Sequence, residues 1–199
     1  MIFNTFIHYF HSLIDPPNVD ELLDAAENAE LHEQQFFAWK NDCEIEVERL
    51  AFESMGHEVI GPTIDTFFSQ LPPVPPDTIN IRVHEIWRST YKRGCFQEIH
   101  DHLPHHLSGV LFLDDHEENC GRFYFHHRHY SELTQEWKEL YFPQSRMYIP
   151  AKRGQVLLFP SHMMHGVSVH RSDKVRRTVA FNINLELNKQ NHSKNENLS

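Results

Sequence analysis

The proline-rich segment 71–76 (Leu-Pro-Pro-Val-Pro-Pro) most constrains the fold, because the sequence pattern differs on its two sides. Proline fixes φ and lacks a backbone N–H, so neither a helix nor a central strand continues through this segment. Beyond it, short alternating runs rich in β-branched and aromatic residues are typical of strands. The runs are 79–91, 107–113, 122–126, 147–149, 155–159, 166–169 and 175–185. This spacing predicts a mainly β protein, a barrel or a sandwich, and not a βαβ fold.

Before the prolines the sequence indicates helices. Residues 1–14 are compatible with a short strand or a helix, and prolines then interrupt the chain. From residue 19 to about 55, two apolar stripes at helical spacing follow. The stripes are Leu22, Leu23, Ala26, Ala29 and Leu31, and then apolar positions between 36 and 52. We expect one structural domain with a helical elaboration at 1–76, a β-rich core at 77–187 and a disordered polar tail at 188–199.

Charge and cysteine content exclude several classes of function. The 199-residue chain has a formal net charge of −10, which disfavours nucleic-acid backbones and anionic membranes as partners. No apolar run reaches the about 20 residues that a membrane span requires. The three cysteines, Cys43, Cys95 and Cys120, are isolated, which fits neither a disulfide framework nor a zinc ribbon. We expect a protein of the reducing cytoplasm.

Two histidines at i and i+2 form the first candidate metal site. In an extended backbone His100 and His102 point to the same side, so both imidazoles can bind one metal ion. Neutral imidazole suits iron, zinc, copper and nickel. A third ligand has to come from another strand, and His165 follows the apolar run at 155–159. Because the chain contains 17 histidines, other ligands are conceivable. These alternatives are His105, His106 and His162.

The last predicted strand separates a polar face from an apolar face. With period-2 alternation, Arg176 and Thr178 lie on a small polar face that suits a cavity wall. Val179 and Phe181 lie on the opposite face, which should pack against the helices. A guanidinium inside a cavity needs an anionic partner. For Arg176 this partner is either the carboxylate of a ligand or an acidic residue of the chain itself.

In their order along the chain these residues resemble the Fe(II)- and 2-oxoglutarate-dependent oxygenases. The resemblance covers roughly residues 80–185, and the interval from His165 to Arg176 is that of the family. It is closest to a subfamily with an HxH pair, an FPS motif and a final RxS/T pattern. The matching positions are Trp87, Gly94, His100, His102, Leu107-Ser108-Gly109-Val110, Gly154, Leu158-Phe159-Pro160-Ser161, His165, Arg176, Thr178 and Phe181-Asn182.

The resemblance implies a double-stranded β-helix, a jelly-roll, cupin-like barrel against which the N-terminal helices pack. It implies Fe(II) bound by His100, His102 and His165, and 2-oxoglutarate bound by Arg176 and Thr178 with help from Tyr91. With O2, such an enzyme hydroxylates or otherwise oxidises its substrate and releases succinate and CO2. Most members of the superfamily have a carboxylate where this chain has His102.

Two other functions are compatible with the same residues. One is a cupin-like iron enzyme with three histidine ligands that does not use 2-oxoglutarate, such as a thiol dioxygenase. The other is a metal- or ligand-binding barrel without catalysis. For an enzyme we expect a small-molecule or peptide substrate and no nucleic-acid or membrane partner. The candidate lids are 71–76, 114–119 and 130–141.

Overall fold

Two antiparallel sheets make up most of the described chain. The structure is a computed structural model that describes residues 10–39, 43–51, 55–75, 77–115, 117–141 and 143–188. In chain order the strands are β1 (Ser12–Ile14), β2 (Leu31–Trp39), β3 (Cys43–Leu50), β4 (Ile79–Tyr91), β5 (Gln97–His100), β6 (Leu107–Phe112), β7 (Phe123–His126), β8 (Arg146–Tyr148), β9 (Val156–Pro160), β10 (His165–Val167) and β11 (Arg176–Leu187). The helices are α1 (Val19–Asn28), α2 (His57–Phe68) and α3 (Gln135–Tyr141), with a 3₁₀ turn at Tyr130–Glu132.

The larger sheet has seven strands in the order β1-β9-β6-β11-β4-β3-β2. The smaller sheet has four strands in the order β5-β10-β7-β8. Strands that are distant in sequence therefore lie side by side, as the predicted mainly β architecture requires. Among the described residues, no helix is long and apolar enough to cross a membrane.

One face of the larger sheet packs against α1 and α2. Val179, Phe181 and Ile183 of β11 lie on this face, in one buried cluster with apolar side chains of both helices. These helix side chains are Leu22, Ala26, Ile60, Ile64 and Phe67. The Phe181 ring lies directly over Gly109 of β6, where a Cβ atom would collide with it. The predicted alternation along the last strand is thereby confirmed.

The opposite face of the larger sheet packs against the smaller sheet. Phe112 and Phe159 of the larger sheet contact Phe123 and Phe125 of β7 in a second buried cluster. A third cluster joins Ile45, Val47, Tyr91, Cys95 and Val167. The space between the sheets is therefore lined by apolar and aromatic side chains.

A bulge in β4 changes which of its side chains face the helices and which face the smaller sheet. Asn182 of β11 lies opposite Glu85, but the next residue, Ile183, lies opposite Val83, so His84 is an extra residue. Val83 and Ile86 both pack against the helices although they are three positions apart. Such an insertion changes which residues share a face of a strand.

The predicted second helical run is wrong. Leu31–Trp39 and Cys43–Leu50 pair as the antiparallel strands β2 and β3, and β3 extends the larger sheet beside β4. In β3, apolar and acidic residues alternate with period two, as in Ile45, Glu46, Val47 and Glu48. Ile45 and Val47 are buried between the sheets, whereas Glu48 faces the helix side and binds Arg88 at 2.7 Å. Burial of one face of β3 therefore outweighs the helical spacing of the apolar residues in this segment.

Other N-terminal predictions have mixed outcomes. The first apolar stripe forms α1, which ends at Asn28, and β1 follows from the strand alternative for residues 1–14. Helix α2 was not predicted from the sequence, and Pro62 lies inside it. The insert at 130–141 contains the 3₁₀ turn and α3. Residues 1–9 and the predicted disordered tail beyond residue 188 lie outside the described residues.

Salt bridges of Arg177 connect α1 to the larger sheet. Its Nη2 lies 2.9 Å from Asp114 Oδ1, and its Nη1 lies 2.7 Å from Glu27 Oε2 at the end of α1. Its backbone N–H also donates to Asp114 Oδ2 at 2.7 Å. Hydrogen bonds to Asp114 and then to Glu27 raise the pKa of the Arg177 guanidinium above its usual value.

We expect Arg177→Met to lower the free energy of unfolding by about 1–3 kcal/mol, because two partly buried carboxylates lose their charged donor. Arg82→Met is the matched control, since Arg82 and Glu186 form an exposed pair at 3.8 Å. Such a pair contributes less than about 1 kcal/mol. Urea unfolding curves of the two variants measure the difference. Equal losses would contradict the role given to Arg177.

Candidate functional site

Three histidines converge between the two sheets. His100 ends β5, His165 begins β10, and the two residues are register partners in the smaller sheet. His102 lies two residues beyond β5, in the loop that leads to β6. The ring centroids are 4.4 Å apart for His100 and His165, and 5.0 Å apart for each pair with His102. One ring nitrogen of each residue lies within 4.8 Å of the others.

Backbone carbonyls orient two of the three rings. His100 Nδ1 lies 2.8 Å from the Glu98 carbonyl oxygen, and His165 Nδ1 lies 2.8 Å from the Met163 carbonyl oxygen. Because a carbonyl only accepts, Nδ1 carries the proton and Nε2 keeps its lone pair. Imidazoles that bind metals are fixed in this way.

Burial favours the neutral form of all three imidazoles. It lowers the pKa of His100, and it lowers the pKa of His165 well below its ordinary value. The pKa of His102 falls to about 4, mainly through burial and then through repulsion by His100 and His105. Neutral imidazoles bind a cation without first releasing a proton.

The alternative ligands are used elsewhere. His105 Nδ1 lies 3.1 Å from Asn184 Oδ1, and His106 Nδ1 accepts the Leu185 N–H at 3.2 Å. Within the part of the chain that the structure describes, neither residue joins a metal-binding group, and His162 does not either. His100, His102 and His165 form the single such group there.

A cavity extends from the histidines to Arg176. Together with its open mouth it contains about 350 Å³ of space outside the protein atoms. Paired residues of β11 and β4 form one wall, with Arg176 opposite Tyr91 and Thr178 opposite Ser89. The lining residues are Trp87, Ser89, Tyr91, Gln97, His100, His102, Val110, Phe123, His165, Val167, Arg176, Thr178 and Ala180.

Arg176 is a buried cation, and no carboxylate of the described residues forms a salt bridge with it. Only 4% of this residue is exposed, and its guanidinium carbon lies 4.7 Å from the centre of the Tyr91 ring. Its Nη1 is buried and makes no hydrogen bond to any described residue. Burial lowers the pKa of Arg176. Of the two partners considered for this residue, the structure leaves room for a ligand carboxylate, since no salt bridge of Arg176 occurs among the described residues.

A hydrogen bond from Tyr91 fixes the orientation of the Gln97 side-chain amide. The Tyr91 hydroxyl donates to Gln97 Oε1 at 2.6 Å. A hydrogen bond with Tyr91 also supports the charge of Arg176, and a guanidinium only donates. The hydroxyl therefore accepts from Arg176 and gives its proton to Gln97, which leaves the Gln97 amide group to donate toward the cavity that it lines.

Sequence reasoning assigned no role to several wall residues. Trp87 and Ser89 share the cavity face of β4 with Tyr91, so period-2 alternation back from Tyr91 would have identified them. No such signal identifies Gln97. It lies three positions before His100, and the two share a face only because the register of β5 against β10 is irregular.

The sequence of this region matches a known family. Residues 85–182 match the family described as "Putative 2OG-Fe(II) oxygenase". The matched span contains the three histidines, Arg176 and Thr178. Over this span the chain is similar to the 2OG-Fe(II) oxygenases. It is an enzyme that depends on Fe(II), 2-oxoglutarate and O2, as predicted, and the similarity favours this function over the two alternatives. No curated protein matches the chain in sequence.

Three solved structures, of proteins that bind 2-oxoglutarate or are described as 2OG-Fe(II) oxygenases, share the fold. The epimerase SnoN in complex with Fe3+, alpha ketoglutarate and nogalamycin RO has a TM-score of 0.64 and 12% identity, with 90% of this chain and 81% of SnoN covered. HygX from Streptomyces hygroscopicus, with nickel, 2-oxoglutarate and hygromycin B bound, has a TM-score of 0.56 and 14% identity, with 89% and 83% covered. A Burkholderia pseudomallei oxidoreductase of the 2OG-Fe(II) oxygenase family has a TM-score of 0.56 and 13% identity, with 83% and 76% covered. The predicted double-stranded β-helix is confirmed.

The lowered histidine pKa values predict how metal-free protein responds to acid. Between pH 6.5 and about 4 the unfolded chain binds more protons than the folded one at these positions, so stability falls as pH falls through this window. His102→Gln should weaken that dependence. His32→Gln, at an exposed position, is the control. Urea unfolding in the presence of a chelator at pH 7.5, 6 and 5 measures it, and equal pH dependence in wild type and His102→Gln would contradict the burial of His102.

Proposed function

We propose that His100, His102 and His165 bind the iron of this oxygenase and that Arg176 and Thr178 bind the distal carboxylate of 2-oxoglutarate. The substrate of the proposed reaction is a small molecule. One observation carries the proposal: a buried guanidinium with an unpaired Nη1 shares a cavity with three neutral imidazoles. A cation site and an anion site at opposite ends of one small cavity suit a cosubstrate that binds metal at one end and carries a carboxylate at the other.

The histidines would hold the metal without adding charge. Three neutral imidazoles suit Fe(II), and the Nδ1 bonds of His100 and His165 aim their Nε2 atoms away from the backbone. Bound iron with 2-oxoglutarate and O2 would supply the oxidising chemistry: one oxygen atom of O2 goes into succinate as CO2 is released, and the other oxidises a substrate C–H bond. No side-chain nucleophile or acid–base pair is needed for this reaction class.

The wall opposite the metal would bind the cosubstrate through donors only. The forked guanidinium of Arg176 matches a carboxylate, and the Thr178 hydroxyl lies two residues further along the same face of β11. The Gln97 amide adds a third donor. Tyr91 orients Gln97 and supports Arg176 from behind. These donors would fix the position of 2-oxoglutarate relative to the histidines.

The apolar wall residues would exclude water from the reacting atoms. Phe123, Val110 and Val167 line the cavity near the histidines. The Phe123 ring stacks on the His165 ring at 5.3 Å, which limits motion of this imidazole. A dry site strengthens the interaction between Arg176 and a carboxylate. It also limits side reactions with water.

Two observations support a small-molecule substrate over a peptide. SnoN and HygX were crystallised with nogalamycin RO and hygromycin B, both small molecules. The Trp87 ring lies 5.5 Å from the His102 ring and offers a flat apolar surface beside the proposed metal. For the cellular location, Cys95 and Cys120 form no disulfide among the described residues, which is compatible with the reducing cytoplasm that we expect.

Anaerobic titration tests the proposal directly. Fe(II) is added to the metal-free protein with and without 2-oxoglutarate, and the weak visible band of an iron-bound keto acid is expected only when both are present. Admission of O2 should then release succinate. His100→Ala and His165→Ala should abolish the band. Tight iron binding without any band in the wild type would favour an enzyme or binding protein that does not use 2-oxoglutarate.

Arg176→Met should separate function from stability. Loss of the only charged partner of a buried carboxylate costs about 2–5 kcal/mol, so the Kd and KM for 2-oxoglutarate should rise about 30-fold or more. Stability without ligand should not fall, because the substitution removes an uncompensated buried charge. Calorimetric titration of 2-oxoglutarate into the Ni(II)-loaded protein and urea unfolding measure the two effects.

Thr178→Val should raise the same Kd about 10- to 100-fold through loss of one hydrogen bond to a carboxylate. The exposed Arg82→Met serves as the control for both variants. An unchanged affinity for 2-oxoglutarate in Arg176→Met would remove the basis of the proposed cosubstrate site.

A further inference from the structure

Four polar side chains form a continuous network next to the histidines. Glu85, Asn182, Ser108 and Ser161 are named here the Glu85 relay. Asn182 Nδ2 donates to Glu85 Oε2 at 3.0 Å, Ser108 Oγ donates to Asn182 Oδ1 at 3.0 Å, and the Ser108 and Ser161 hydroxyls are 2.8 Å apart. Asn182, Ser108 and Ser161 are at most 2% exposed. Buried polar groups in this number require a reason.

The carboxylate at one end sets the direction of every hydrogen bond in the relay. Glu85 only accepts, so the amide nitrogen of Asn182 faces it and the amide oxygen faces Ser108. The proton of Ser108 goes to this oxygen, and Ser108 then accepts the proton of Ser161. The Glu85 carboxylate therefore fixes the direction of all hydrogen bonds from β4 through β11 and β6 to Ser161, which follows β9.

At its other end the relay holds the segment that carries His102. The Ser161 carbonyl accepts the His102 N–H at 2.9 Å, and the Ser161 N–H donates to the His106 carbonyl at 3.0 Å. Ser161, which precedes His165 by four residues, thus binds both ends of the loop from His102 to His106. Glu85 touches the same loop directly, with Oε2 3.5 Å from His105 Nε2.

His102 needs this support more than the other two histidines. His100 and His165 lie in strands and each has an Nδ1 bond to a carbonyl. His102 lies outside any strand, and among the described residues its ring makes no hydrogen bond. Its orientation therefore depends on the placement of the loop and on the Trp87 ring beside it.

We infer that the Glu85 relay positions His102 as a metal ligand and that Glu85 supplies the negative charge next to a site of three neutral histidines. This inference rests on the proposed function. Glu85, Asn182, Ser108 and Ser161 are positioning residues in it, because they act through the loop and through His102 and do not touch the metal. Residues that orient a metal ligand change metal affinity about 10- to 100-fold when they are substituted.

Metal affinity of two relay variants tests the inference. Glu85→Gln removes the charge with little change in shape, and Ser161→Ala removes the hydroxyl but keeps both backbone bonds of Ser161. Each should raise the Kd for Ni(II), measured by calorimetric titration of metal-free protein, about 10- to 100-fold. Thr63→Val is the matched control, since Thr63 is a buried hydroxyl in α2 without a hydrogen-bond partner. Its Kd should equal that of the wild type.

A double-mutant cycle distinguishes positioning from general destabilisation. If the relay acts through His102, Ser161→Ala should not weaken Ni(II) binding further in a His102→Ala background, and Glu85→Gln should there keep only the smaller part of its effect that comes from its charge. Unchanged affinity in both single variants, or an equal loss for Ser161→Ala with and without His102, would overturn the inference. Unfolding midpoints in chelator must stay within a few degrees of wild type for Ser161→Ala, and a loss of affinity that only follows a loss of folded protein would also overturn it.

The result also separates this inference from the proposed function. If His102→Ala and wild type bind Ni(II) equally well, the proposed metal site itself fails. If His102→Ala loses affinity and the relay variants do not, the metal site stands and only the relay is wrong.

Discussion

The pairing of β11 with β4 is the interaction on which the site depends. The two central strands pair along twelve residues of β11, and the register puts Arg176 opposite Tyr91 and Thr178 opposite Ser89. These pairs place donors and aromatic rings on the cavity face, while Val179 and Phe181 lock the opposite face onto the helices. A slip by one residue would exchange the two faces. The apolar core and the polar cavity thus specify one another through a single register.

Much of the core and of the site could be predicted from the sequence wherever side chains alternate between a buried apolar face and a polar face of a strand. The alternation from Arg176 to Leu185 identified both faces of β11, and the i, i+2 spacing of His100 and His102 put both rings on one side. The region 31–50 could not be read as securely, because the alternation in β3 becomes decisive only when β4 provides a neighbour. The role of Gln97 depended on an irregular register, which leaves no trace in residue spacing.

The three-histidine site changes the electrostatic demands on its surroundings. Three neutral ligands leave the charge of a divalent ion uncompensated, whereas a carboxylate ligand would neutralise half of it. Negative charge can then come from the cosubstrate and from nearby groups such as Glu85, which already stands against the same loop. The buried guanidinium has the same requirement, and no salt bridge with the described residues meets it. With a metal ion bound, the cavity therefore has a positive charge at each end, and one dianionic cosubstrate would compensate both.

The extra residue at His84 has a consequence for how this protein can diverge. It allows Glu85 to reach Asn182 while Val83, two positions earlier, still points toward the helices. Removing the extra residue would leave both faces as they are, because Val83 would then directly precede Glu85 opposite Ile183 and Asn182. Inserting or deleting one residue between Glu85 and Tyr91 would instead turn either the Glu85 carboxylate or the cavity-wall side chains of β4 toward the helices. Length variation among relatives should accordingly be tolerated in the surface connections and at the bulge, and be selected against in this part of the central strand.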